Sequence, residues 1–227
     1  QRAVKNIFNT VKIPGISLSS ANSINIGRLI PQVVYYIYTY ICLVNKGKIK
    51  YGEKINFSVP TGNFGNILAC YIAKMLGTPI NHVICASNKN NVLTDFFKTG
   101  EYNANRPFYV TNSPSMDILV SSNLERLLYL MTNDKNYVKE LMQSLNQNGS
   151  YKVNKDLFSE LQNIDATYVD EEETKKAIKE LYYNKDILID PHTSVAYTGY
   201  LKARPNGYTI CVSTASPYKF PVTIASA

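Results

Sequence analysis

The first half of the chain alternates apolar runs of helical length with apolar runs of strand length. Residues 33–44 form the longest apolar run, and at 12 residues it is shorter than the roughly 20 needed to cross a bilayer. We predict a buried helix there, which begins at Asn22 or Ser23 and ends near Lys46. Residues 54–59 (KINFSV) pass from alternating to continuous apolar positions, as in a strand that enters a core.

A glycine-rich turn joins this strand to the next predicted helix. The segment Thr61 to Asn66 (TGNFGN) follows Pro60, and residues 67–76 are apolar enough for a buried helix that ends at Gly77. Residues 82–86 (HVICA) then read as a second short strand. Strand, helix and strand in this order form a βαβ unit, which predicts an α/β fold with a parallel sheet.

Residues 115–186 have a different character and are expected to form a mostly helical insertion. Two helices are predicted between residues 115 and 147, with a break near Asn133. Residues 154–161 and 171–183 have the pattern of further amphipathic helices.

The remaining residues, 1–114 and 187–227, are predicted to form one α/β domain. Its second part begins with the strand-like residues 187–189 and continues as a helix from about Thr193. Residues 208–217 then read as a strand that runs into a loop.

Composition and charge exclude several classes of protein. The 227 residues are 45% apolar, which is ordinary for a globular protein, and they carry 24 Lys plus Arg against 17 Asp plus Glu. The resulting charge of +7 is spread along the chain, so we expect no nucleic-acid partner. We expect no membrane partner, because the longest apolar run is too short to span a bilayer. Four cysteines lack metal-ligand spacing and predict free thiols in a reducing, cytoplasmic protein: Cys42, Cys70, Cys85 and Cys211.

The turn Gly62, Asn63, Phe64, Gly65 and Asn66 is the most informative candidate site. A strand that turns directly into a helix points unpaired N–H groups and the positive end of the helix dipole at one place. Glycines there allow an anion to approach the backbone closely, which indicates a phosphate cradle. A tight turn that serves only the backbone is an equally good interpretation, and the dinucleotide and P-loop fingerprints are absent.

Two further segments offer polar groups near the predicted sheet edge. Asn22, Ser23 and Arg28 lie at a predicted helix start, where an amide, a hydroxyl and a guanidinium can face a second anion. Ser213 and Thr214 follow the last strand, at the edge of a parallel sheet where ligands usually bind. The two histidines, His82 and His192, have no metal-binding context, and no metal site is predicted.

Several segments together resemble the threonine synthases, which are pyridoxal phosphate (PLP) dependent lyases of the tryptophan synthase β-like fold (fold type II). The resemblance is carried by six segments in order: NSINIGRLIPQ, SVPTGNFGN, NVLTDFFKTGEY, SPSMDILVSSNLERL, DPHTSVAY and STASPYKFP. It implies threonine biosynthesis, in which O-phospho-L-homoserine and water give L-threonine and phosphate. It also implies that residues 62–66 hold the 5′-phosphate of PLP, that Thr214 meets the pyridine nitrogen, and that Asn22, Ser23 and Arg28 bind the substrate phosphate.

The family's Schiff-base lysine, which lies in an N-terminal stretch, has no counterpart in this sequence. The chain is therefore expected to be a fragment that lacks this part of the enzyme and is inactive alone. Two other hypotheses remain open from the residues. One is another fold-type-II PLP lyase, such as a threonine dehydratase or a cysteine synthase relative, and the other is a non-catalytic domain that binds a phosphorylated metabolite.

Overall fold

The computed structural model of the protein describes residues 10–11, 14–16 and 24–227. Its regular elements are listed here in chain order. They are α1 (Ile26–Asn45), β1 (Ile55–Pro60), α2 (Gly65–Met75), β2 (Ile80–Ser87), α3 (Val92–Thr99), β3 (Glu101–Asn103), α4 (Leu124–Thr132), α5 (Lys135–Asn148), β4 (Ser150–Lys152), α6 (Lys155–Leu161), β5 (Ile164–Tyr168), α7 (Glu171–Lys185), α8 (Pro191–Ala203), β6 (Thr209–Cys211) and α9 (Pro221–Ala225), with single 3₁₀ turns at Pro114–Met116 and Pro217–Lys219.

A four-stranded sheet in the order β5-β2-β1-β6 forms the centre of the molecule. All three strand pairs are parallel, and Ser58 of β1 lies opposite Ile84 on one side and Cys211 on the other. Since parallel strands end at the same edge, the segments after β1, β2 and β6 meet there. The predicted βαβ unit and the parallel α/β fold are confirmed.

Helices cover both faces of this sheet, as a parallel sheet requires. All six residues of β1 are buried. On one face, the ring of Tyr36 in α1 packs edge-on against Phe57, with centroids 4.8 Å apart. On the other face α8 lies directly on the strands, because Gly199 has no Cβ, and an added one would be 2.8 Å from Ala86 Cβ.

Helix α1 begins later than the sequence predicted. Asn25 is its N-cap and accepts a hydrogen bond from the N–H of Gly27 at 2.8 Å, so the predicted start at Asn22 or Ser23 is wrong. Those two residues lie outside the described part of the chain. The end at Lys46 is confirmed. Among the described residues, no helix is both long enough and apolar enough to span a membrane.

The residues predicted as a mostly helical insertion contribute to the central sheet. Helices α4 to α7 lie where helices were predicted, and the break near Asn133 is confirmed, but β5 (Ile164–Tyr168) pairs with β2 at the edge of the sheet. Residues 187–189, predicted to resume the α/β pattern as a strand, have no regular structure and lead into α8. One strand of the central sheet, β5, therefore belongs to residues 115–186, which were predicted as the insertion.

Candidate functional site

The turn from β1 into α2 leaves several backbone N–H groups available. Phe64 is the N-cap of α2 in a left-handed conformation (φ 64°, ψ 1°), and its side chain caps no N–H group. That ring is buried and stacks on Phe97, which holds the strained residue in place. The first N–H groups of an α-helix have no partner within the helix. The start of α2 thus presents a positive dipole end and free donors, as an anion site requires.

Residues 115–123, here called the clamp, hold this turn through its carbonyl groups. The hydroxyl of Ser121 donates to the carbonyl of Gly62 at 2.8 Å, and the backbone and side-chain nitrogens of Asn123 donate to the carbonyl of Asn63 at 3.1 and 2.9 Å. Asn63, Gly65 and Asn66 stay partly exposed. The clamp therefore fixes the turn without covering it.

The lack of a side chain at Gly62 makes room for the clamp. A Cβ on this residue would lie 2.9 Å from the Cα of Met116 and 3.0 Å from the carbonyl oxygen of Ser115. Both of these are backbone atoms, which move less easily than a side chain. The sequence argument linked Gly62 to the close approach of a phosphate, and the structure shows that Gly62 allows close approach of the clamp.

We predict that Gly62→Ala lowers the free energy of unfolding by about 1–3 kcal/mol, because the added methyl group overpacks the contact with the clamp. Urea denaturation of the purified protein measures this change. Gly52→Ala is a comparison for backbone strain alone, because a Cβ there meets nothing within 4 Å but the residue has φ +84°. A loss below about 1 kcal/mol in Gly62→Ala would show that the contact with the clamp is not tight.

One cavity of about 760 Å³ lies beside the start of α2, at the edge where β6 ends. Arg28 of α1 and Asn66 of α2 line it together with Ser213 and Thr214, which follow β6. Its volume is within the range of small-molecule sites. The structure thus brings three of the predicted residues, Arg28, Asn66 and Thr214, to one cavity. Gly62, Asn63, Phe64 and Gly65 lie in the turn leading to Asn66, and Asn22 and Ser23 lie outside the described residues.

Tyr36 is a residue of this site that sequence reasoning missed. Its hydroxyl donates to the side-chain oxygen of Asn66 at 2.6 Å, and it lines the same cavity. Burial raises the pKa of Tyr36 well above its ordinary value, so the hydroxyl keeps its proton and remains a donor. The oxygen of Asn66 is therefore occupied, and its NH₂ group is left as the donor to a ligand. In the sequence, Tyr36 was one apolar position of a buried helix.

Cys211 also lines the cavity but is not suited to nucleophilic chemistry. Burial raises the pKa of its thiol to about 11. A thiol with this pKa is protonated at neutral pH, and the thiolate is the reactive form. What the cavity does offer is the positive charge of Arg28 and the hydrogen-bond donors of Asn66 and Thr214. This arrangement is best suited to binding an anionic ligand.

The two histidines occupy contrasting positions. His82 lies at the surface, where its Nδ1 is 2.8 Å from Asp165. His192 is buried near the N-terminus of α8, with its Nδ1 2.9 Å from Asp190 and its Nε2 accepting the N–H of Ser115 at 3.2 Å. His192 thus connects the N-cap of α8 with the clamp.

Known proteins resemble this chain over its whole length. It is 44% identical to human threonine synthase-like 1 over 238 residues and 37% identical to threonine synthase of Saccharomyces cerevisiae over 248 residues, and all of the chain is matched in both cases. The chain spans 32% of the human protein and 48% of the yeast enzyme. No protein-family model matches it.

The structural comparison agrees with the sequence comparison. The crystal structure of PLP-bound threonine synthase from Brucella melitensis superposes with a TM-score of 0.91 at 35% identity, over 99% of this chain and 48% of that one. The yeast threonine synthase structure gives a TM-score of 0.89 over the whole chain. The predicted fold-type-II α/β fold is thereby confirmed. We conclude that this chain is a homologue of the threonine synthases over its entire length, corresponding to about half of such an enzyme.

Proposed function

We propose that the protein carrying this chain is a PLP-dependent threonine synthase, which converts O-phospho-L-homoserine and water to L-threonine and phosphate. The observation that carries the proposal is the shared cavity of Arg28, Asn66 and Thr214 beside the first turn of α2. The homologues and the PLP-bound relative support the choice of cofactor and reaction. A cytoplasmic location and a role in threonine biosynthesis belong to the same proposal.

The residues present fit PLP as a ligand. The cofactor has a phosphate dianion at one end and a pyridine ring, and the cavity has donors suited to each. The N-terminus of α2 and the NH₂ group of Asn66 suit the phosphate, because they supply neutral donors and a positive dipole end. The hydroxyl of Thr214, on the β6 side of the same cavity, suits the ring nitrogen.

In this proposal the turn at residues 62–66 and Thr214 bind different parts of the cofactor. When bound, PLP supplies an electron sink for bond cleavage next to the amino group of the substrate. The turn at residues 62–66 holds the phosphate end and so provides binding energy away from the reacting carbons. Thr214 offers a neutral oxygen to the ring nitrogen. Such a partner leaves the ring less electron-withdrawing than a carboxylate would.

Arg28 is proposed to bind the phosphate of the substrate. It projects from the first turns of α1 into the cavity, is exposed, and is joined there by Gln32 one turn later. A guanidinium binds phosphate through parallel charge-assisted hydrogen bonds and stabilises the charge that grows on a departing phosphate. Asn22 and Ser23 are proposed to share this role.

The proposal extends to the isolated chain. The resemblance assigns the covalent attachment of PLP to a lysine that has no counterpart among these 227 residues. We therefore propose that the chain alone binds PLP or phosphate weakly and does not turn over substrate, and that activity belongs to the full-length polypeptide.

The direct test is a phosphate-release assay with the full-length protein, PLP and O-phospho-L-homoserine, with L-threonine identified by chromatography. We expect phosphate and threonine in equal amounts, and no phosphate from the isolated chain. L-threonine and L-serine serve as alternative substrates. If the full-length protein deaminates threonine and leaves phosphohomoserine intact, it is a dehydratase and the proposal is wrong.

A further inference from the structure

A buried cluster of Asp190, His192 and Thr193 lies next to the cavity, and the proposed function does not use it. These side chains are 0%, 2% and 5% exposed. Asp190 is the N-cap of α8 and accepts hydrogen bonds from the backbone N–H groups of His192 and Thr193. An N-cap of this kind needs only one acceptor oxygen, and serine or threonine can supply it. The further contacts of this carboxylate therefore need another explanation.

The first set of further contacts leads to the clamp. One carboxylate oxygen of Asp190 is 2.9 Å from Nδ1 of His192, and Nε2 of the same ring accepts the N–H of Ser115 at 3.2 Å. Since Nε2 is the acceptor, the hydrogen of the neutral ring is on Nδ1 and is donated to Asp190. Ser115 and its neighbour Met116 are the residues against which Gly62 packs. This branch thus ends at the clamp, which holds the glycine turn.

The second set leads to the segment that follows β6. The other carboxylate oxygen of Asp190 accepts a short hydrogen bond from the hydroxyl of Thr193. The same hydroxyl oxygen lies 3.2 Å from the hydroxyl of Ser213. Ser213 lines the cavity and precedes Thr214. This branch ends at the wall that follows β6.

The two branches meet at one charged group. Burial of Asp190 opposes its ionisation, but the hydrogen bonds from His192 and Thr193 outweigh this effect and lower its pKa. Asp190 is therefore a carboxylate whose two oxygens both accept hydrogen bonds. Charge-assisted hydrogen bonds of this kind are short and directional.

We propose that Asp190, His192 and Thr193 are positioning residues that keep the glycine turn and the Ser213–Thr214 wall at the spacing that one ligand needs to contact both. The ligand is PLP only if the proposed function is right, so this inference rests on it. Asp190, His192 and Thr193 are expected to restrain the two segments whether or not a ligand is bound.

Single variants separate the two branches. In His192→Asn the shorter amide keeps a donor for Asp190 but has no group that reaches Ser115. In Thr193→Val the hydroxyl is lost at nearly constant volume, while Thr193→Ser restores it. His82→Asn is the matched control, because it alters the other histidine–aspartate pair, which lies at the surface.

Hydrogen–deuterium exchange of the ligand-free full-length protein gives the first readout. We expect His192→Asn to raise exchange by about tenfold at residues 62–67 and 115–123, and Thr193→Val to do so at residues 212–216. Thr193→Ser and His82→Asn are expected to leave exchange in all three segments unchanged. If His192→Asn and Thr193→Val match His82→Asn in all three segments, Asp190 is an ordinary helix cap and the inference is overturned.

The dissociation constant of PLP gives the second readout through a double-mutant cycle. We expect His192→Asn and Thr193→Val each to weaken PLP binding by about tenfold. The variant that combines both changes is expected to weaken it by clearly less than the product of the two effects, because both branches pass through Asp190. Independent effects that multiply would contradict coupling. A wild-type protein that binds no PLP refutes the proposed function, and the exchange experiment then still decides the positioning role.

Discussion

Replacing Arg28 with alanine is expected to lower kcat/KM for O-phospho-L-homoserine by about 100-fold or more, equivalent to roughly 3 kcal/mol of transition-state stabilisation. The physical reason is the loss of a charge-assisted contact with the substrate phosphate from a side chain on the cavity wall. PLP affinity is expected to change little, since its phosphate is assigned to the turn at residues 62–66. Steady-state kinetics and PLP titration of the full-length variant measure the two effects separately.

Arg28→Lys is the conservative comparison for this prediction. It keeps the positive charge but loses the planar arrangement of donors that binds phosphate through two bonds, so we expect an intermediate loss. If Arg28→Ala instead releases PLP and retains affinity for phosphohomoserine, the two anion sites are assigned the wrong way round.

Replacing Asp190 with alanine is expected to lower the free energy of unfolding by about 3–5 kcal/mol at neutral pH. The variant loses the N-cap of α8 and leaves the ring of His192 and the hydroxyl of Thr193 without their buried acceptor. Urea denaturation measures the loss. Asp165→Ala is the matched control, because it removes the carboxylate of the exposed pair with His82, and we expect it to cost less than about 1 kcal/mol.

The same carboxylate predicts how stability depends on pH. The folded pKa of Asp190 is lower than its ordinary value of 3.8. A lowered pKa contributes stability that is present above the unfolded-state value and is lost as pH falls through the folded-state value. The difference in stability between the wild type and Asp190→Asn is therefore expected to be constant near neutral pH and to shrink below about pH 4. A difference that stays constant down to pH 2 would contradict the assignment of a buried ionised carboxylate.

Local patterns predicted the elements that depend on near neighbours. β1, the glycine turn, α2 and β2 could be derived because burial makes strands apolar, and because a strand that turns directly into a helix needs particular turn residues. The end of α1 near Lys46 and the break at Asn133 were found for similar reasons. These features are decided within about ten residues of chain.

Features that depend on distant segments were predicted less well. β5 has a single buried position, Ile164, and lies between two helices, so its sequence did not separate it from the helices around it. It is a strand because it pairs with the edge of β2. Residues 187–189 are apolar enough for a strand, but they pair with none of the four strands of the described sheet. The segment before Leu124 was predicted as helix, yet it forms the clamp on Gly62 and Asn63.

Short-range patterns were enough to predict the parallel α/β fold, the glycine turn at residues 62–66 and the resemblance to threonine synthase, since these follow from local backbone chemistry and from the order of short motifs. The packing of distant segments was needed to show that Arg28, Asn66 and Thr214 share one cavity, that Tyr36 orients Asn66, and that Asp190 connects the clamp with the segment after β6. These arrangements connect segments that are distant in sequence, and their geometry exists only when the parallel strands have aligned their ends.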